Sequence, residues 1–179
     1  MGTQRMKEQR AHGIATIATK YGLIQGVLSF IWFLVRKLIV PKQNWVGIGV
    51  STLILIALMI LAHREFKRTH ESTMTYPQGL GSGTLLSSVG ALVTCIVTYV
   101  YLKYINTGYI AAAMEAQRAA IERRGISGPQ AEMAMGMMGA ITSPIGIAFT
   151  SLITSVIVGF IVALIVSIFT EKRDPNAGY

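Results

Sequence analysis

The chain has 179 residues, of which 52% are hydrophobic and only 13% charged, with a formal net charge of +8. Mean hydropathy is +0.52, whereas ordinary soluble domains carry about 25% charged residues, so an aqueous globular fold is excluded. The basic excess sits beside apolar runs and forms no stripe interleaved with aromatics, which points to membrane-flanking charge and away from nucleic acid.

Charge-free runs cover residues 21–35, 43–62, 72–102 and 133–170. A helix crosses a bilayer with roughly 20 mostly apolar residues. The predicted architecture is therefore all-α: a single integral-membrane domain, residues 1–179, forming a bundle of four transmembrane helices. Spans are expected at about 18–40, 45–62, 83–105 and 145–169, with a short amphipathic helical connection at about 107–138 between the third and fourth.

The basic start (Arg5, Lys7, Arg10) precedes an apolar run with no small-residue cleavage pattern after it, so the first span is expected to be retained. Lys20 on one side and Arg36 and Lys37 on the other can snorkel and lengthen it. Pro41 should stop that helix, and Lys42, Gln43 and Asn44 form a tight connection that makes spans one and two antiparallel neighbours. The second span leads into a polar exit over 63–68. Loop residues follow to about Pro77, and the third span begins through the Gly-rich stretch 79–83. In the connection, Glu115, Arg118 and Glu122 share a helical face. Gly125 suits a helix stop, and Ser127, Gly128, Pro129 and Gln130 suit the start of another helix with Pro in its first turn. A straight helix over 133–170 would be about 57 Å long against a hydrocarbon core of about 30 Å. Pro144 must break or kink it, which leaves 133–143 as an interfacial or re-entrant piece.

Four spans put both termini on one side. The sixteen Lys and Arg then divide nine to seven in favour of the terminal side, which favours termini in the cytoplasm. Trp32, Trp45, Tyr99, Tyr101, Tyr104 and Tyr109 fall together at the far interface.

Small residues recur every four positions in three ladders. They are Ala18, Gly22, Gly26; then Gly79, Gly83, Ser87, Ala91, Cys95; then Ser151, Ser155, Gly159, Ala163, Ser167. In lipid, helices associate where small residues let backbones approach. The ladders either pack inside the bundle or leave one free to dock a second copy or another membrane protein. Members drift by roughly 40° per step, so only short parts of each ladder can face one partner.

Gln25 is the only deep side-chain amide, suited to an interhelical hydrogen bond, and Lys103 lies close enough to an interface to snorkel. No carboxylate falls in an apolar run, which argues against proton or cation coupling. His12, His63 and His70 lie on the terminal side without cysteine partners, so no metal site is expected. Met133, Met135, Met137 and Met138 resemble soft copper ligands, but flexible apolar packing accounts for them better. Cys95 reads as a small packing residue. No nucleophile elbow, phosphate loop, dinucleotide fingerprint or zinc-protease helix is present, so neither catalysis nor a cofactor is expected.

Several stretches together carry a family resemblance. Lys20, Tyr21, Gly22 and Leu23 open the first span; Tyr76, Pro77, Gln78, Gly79 and Leu80, with Gly83, introduce the third; the run Tyr99 to Asn106 follows. These resemble the small four-span membrane proteins of Bacteroidota grouped as domain-of-unknown-function family 4199, over about residues 20–172. The resemblance implies a bacterial cytoplasmic (inner) membrane with 107–138 facing the periplasm. It brings no activity and no functional residues. The expected role is a non-enzymatic accessory or scaffolding subunit in contact with lipid and with other membrane proteins or further copies of itself. One alternative is a small transporter or channel for an uncharged or hydrophobic solute, suggested by Pro144 and the Gly-rich start of span three. Another is lipid or surface sensing through 110–124.

Overall fold

The computed structural model describes residues 2–39, 45–69 and 74–171. The tight connection expected at Pro41, Lys42, Gln43 and Asn44 lies outside them, as do His70, Lys172 and Arg173. Among the described residues there is no β-strand. The helices are α1 (Gly2–Ile39), α2 (Trp45–Thr69), α3 (Tyr76–Val100), α4 (Gly108–Arg123), α5 (Pro129–Thr142) and α6 (Pro144–Thr170). A π-helical turn, Tyr101–Ile105, continues α3 and closes with Asn106 N–H donating to the Tyr101 carbonyl at 2.8 Å.

Among the described residues, four stretches are long and apolar enough to cross a membrane: His12–Val35, Gly49–Thr69, Tyr76–Ile105 and Pro144–Thr170. The chain is an all-α, multi-pass membrane protein. Each spanning helix leaves large apolar side chains exposed, among them Val27, Leu53, Leu92 and Ile161. In a bilayer these face lipid tails, where exposure of an apolar group costs nothing.

Helix α3 begins at Tyr76 rather than near Gly83, so the glycines at 79, 81 and 83 lie inside the helix and not in a preceding loop. The cause is local. Thr75 N–H donates to Gln78 Oε1 at 3.0 Å, the returning arm of a capping box. Pro77 sits in the first turn, where its missing N–H loses no bond.

The connection between the third and fourth spans is two helices. Helix α4 ends before Gly125, which takes φ +72°, and Gly128 at φ +66° precedes Pro129, the first residue of α5. Both glycines occupy the left-handed region that side chains avoid. Ser143 separates α5 from α6 with an extended ψ of 156°. It serves both helices: its N–H donates to the Gly139 carbonyl at 3.1 Å, and its Oγ accepts from Gly146 N–H at 3.0 Å. That makes Ser143 the N-cap and Pro144 the first residue of α6.

Two compact units divide the chain: Met1–Thr94 with Thr154–Tyr179, and Cys95–Ile153. The first holds the core of Ala18, Leu55, Met59, Ala62, Leu86, Val162, Ala163 and Val166. In the second, α4 packs on α5. Gln117 Nε2 donates to Thr142 Oγ1 at 3.0 Å, and Met114 reaches over Gly139.

Candidate functional site

Within the first unit, α3 presents small residues to three neighbours. Toward α6 the contacts run in antiparallel register. A Cβ at Gly79 would lie 3.0 Å from Ser167 Oγ, a Cβ at Gly83 would lie 2.8 Å from Ala163 Cβ, and a Cβ at Gly159 would overlap Ser87. Position numbers rise by four on α3 as they fall by four on α6, so the second and third ladders meet each other turn for turn. Ala91, one turn further along α3, is buried, and Ser155 of α6 is half-buried. Gly83 and Gly79 also approach α2 at Met59 and His63. The first ladder packs on a different face of α3: a Cβ at Gly22 would lie 2.7 Å from the Leu86 carbonyl oxygen, and one at Gly26 would lie 3.0 Å from the Gly90 carbonyl oxygen. Gly22, Gly26, Gly79, Gly83, Ser87, Gly159 and Ala163 are thus brought together inside the unit.

The same close seams hold polar side chains. Gln25 is 9% exposed, and its amide occupies the space where a side chain at Gly90 would begin. The expected interhelical hydrogen bond is not what the amide makes: Nε2 reaches Ser29 Oγ on its own helix at 3.4 Å, and Oε1 has no partner among the described residues. Gly90 brings α3 so close that the amide meets a methylene and not a donor.

His63 is 1% exposed. The sequence places it in a polar exit, but α2 continues to Thr69 and turns the imidazole inward. Its Nδ1 lies 2.8 Å from Thr170 Oγ1, whose own proton goes to the Val166 carbonyl at 2.8 Å. The Thr170 hydroxyl therefore presents a lone pair to Nδ1. Nε2 and the neighbouring Ser167 Oγ are both buried without a hydrogen-bond partner among the described residues. Glu65, on the next face of α2, takes Lys20 Nζ at 2.9 Å and Tyr21 O–H at 2.7 Å. Lys20, expected only to snorkel, thereby ties α1 to α2. Extending the α2 periodicity past the charge-free run would have found His63, since buried Leu55, Met59, Ala62 and Phe66 share its face.

In the second unit, Lys103 is exposed, donates to Tyr99 O–H at 2.9 Å and lies over the Tyr99 and Tyr104 rings at 5.3 and 5.4 Å. A charge held by two aromatic rings is an interface anchor. Pro144 marks the α5–α6 break, where a Cβ at Gly146 would strike the Ala140 and Ile141 carbonyls. Cys95 is a free thiol. Among the described residues, no three His, Cys, Asp or Glu side chains come together. The chemistry on offer is hydrogen bonding by buried groups, inside a shell open to lipid.

No curated protein and no solved structure matches the chain. A family model described as a protein of unknown function matches residues 20–172, from the Lys20 that pairs with Glu65 to the end of α6 and just beyond. With that match over most of its length and four apolar helices within the fold, the chain belongs to the family DUF4199.

Proposed function

We propose that this is a non-catalytic subunit of a bacterial inner membrane, with both termini cytoplasmic, that packs against another membrane protein. One observation carries the reading. Met133, Met137 and Ile141 recur at four-residue spacing along α5, and each is between 55% and 72% exposed. Helix α5 has 14 residues and is not among the four spans, so tail lipid does not account for this stripe. Methionine is flexible and polarizable, suited to apolar contacts that must fit a partner's shape. Most small residues of the ladders pack inside the first unit, which moves the docking surface from the ladders to this stripe.

A photo-crosslinking residue at Met137 in the full chain, activated in native membranes, tests the reading. A discrete protein adduct is expected at Met137 and none at lipid-facing Leu53, with Met133→Asp abolishing it. The reading fails if Met137 and Leu53 give the same result.

Buried His63, Ser167 and Gln25, each with a polar atom that has no partner among the described residues, favour a second reading as a small transporter for an uncharged solute. Proteoliposomes followed by light scattering after a glycerol gradient test it. Permeation lost in His63→Phe supports transport, and permeation equal to that of empty liposomes removes it.

A further inference from the structure

Between α2 and α6 runs a groove of about 500 Å³ whose lining changes character along its length. Ile56 and Ile60 of α2 face Ile165 and Phe169 of α6, and the cationic Arg64 and Lys67 stand at the end nearest both C-termini. Ile56, Ile60 and Arg64 follow at four-residue spacing, so one face of α2 passes from apolar to cationic over about 12 Å. That is most of the depth of one leaflet, about 15 Å.

We infer that this groove binds one anionic phospholipid, with an acyl chain along the isoleucines and the phosphate at Arg64. Phe169 is 83% exposed on a helix that spans the membrane, so the groove opens to the bilayer and lipid reaches it directly. Arg64 is exposed, and among the described residues no carboxylate pairs with it. Glu65, its neighbour in sequence, is committed to Lys20 and Tyr21. Lys67 and Glu171 have contacts of their own, so the phosphate contact rests on Arg64. Two helix C-termini carry partial negative charge, which opposes an anion, but Lys67 and Arg68 in the last turn of α2 offset it. The Thr170 hydroxyl is engaged by Val166 and His63 and adds nothing. A guanidinium also suits the headgroup because it can bond two phosphate oxygens at once.

The test is native mass spectrometry of the full-length protein in detergent, titrated separately with phosphatidylglycerol and phosphatidylethanolamine of matched chains. The unaltered protein should hold phosphatidylglycerol at least fivefold more strongly. Arg64→Gln should lower it to the phosphatidylethanolamine level. Ile165→Trp, which fills the groove, should weaken both lipids, and Arg118→Gln, an exposed charge in the other unit, should change neither. Equal binding of the two lipids, an undiminished preference in Arg64→Gln, undiminished binding in Ile165→Trp, or an equal loss in Arg118→Gln would each overturn the assignment.

Discussion

A methyl group at position 90 would lie on the amide of Gln25. Overpacking a tight site costs about 1–3 kcal/mol, and Gly90→Ala should fall in the upper part of that range because the Gly22 carbonyl is also within 3.0 Å. Gln25→Ala in the same chain removes the amide and should restore most of the loss. Thermal unfolding of the four members of this cycle in one detergent measures the coupling. Additive losses would show that the two residues do not share the space. A second expectation concerns the amide alone. Its Oε1 is buried without a partner among the described residues, and such a group costs about 1–3 kcal/mol. Gln25→Leu keeps the bulk and discards the acceptor, so the unfolding temperature should hold or rise. A marked fall would assign the carbonyl a bond that stabilises the fold.

At the scale of elements, the seam between α3 and α6 depends on absent side chains. Gly159→Ala puts a methyl on Ser87 and should destabilise by about 1–3 kcal/mol. Gly49→Ala, on α2 with no described residue within 4 Å of its Cβ position, should be neutral or stabilise by up to about 1 kcal/mol through helix propensity. Equal effects in chemical unfolding would remove the seam as the cause. The ladders were legible from the sequence because four-residue spacing and residue size are both written there. Their partners were not, since a ladder does not say which helix it meets. The start of α3 is written in Thr75 and Gln78, which stand at capping-box spacing around Pro77, but the glycines that follow read more readily as a loop. The α5–α6 break was anticipated from Pro144, while the double role of Ser143 was not. Ser143→Ala removes the hydroxyl that accepts from Gly146 N–H, so the first turn of α6 should exchange amide hydrogens faster. Unchanged exchange there would leave Pro144 as the only determinant of the break.

For the molecule as a whole, hydropathy decides the environment and helix count decides the topology. The burial of His63 shows where that approach stops. Charge-free runs end at the first ionisable residue, but a helix in lipid ends where its backbone does, and α2 continues for six residues beyond His63 to Thr69. The same caution applies to sidedness. A near-even division of Lys and Arg fixes little, whereas four spans fix parity. His12 precedes the first span's apolar core, Arg68 lies at the end of the second, and Arg124 lies between the third and fourth. With Cys95 replaced by Ser, single cysteines at these three exposed positions can be challenged with a membrane-impermeant maleimide on intact cells. Four spans require His12→Cys and Arg68→Cys to react from one face and Arg124→Cys from the other. With cytoplasmic termini, Arg124→Cys labels in intact cells and the other two only after permeabilisation. The reverse order would keep the four spans and invert the orientation. Arg68→Cys and Arg124→Cys reacting from the same face would mean that Tyr76–Ile105 does not cross, and the α3 seams would then have to be explained without a bilayer around them.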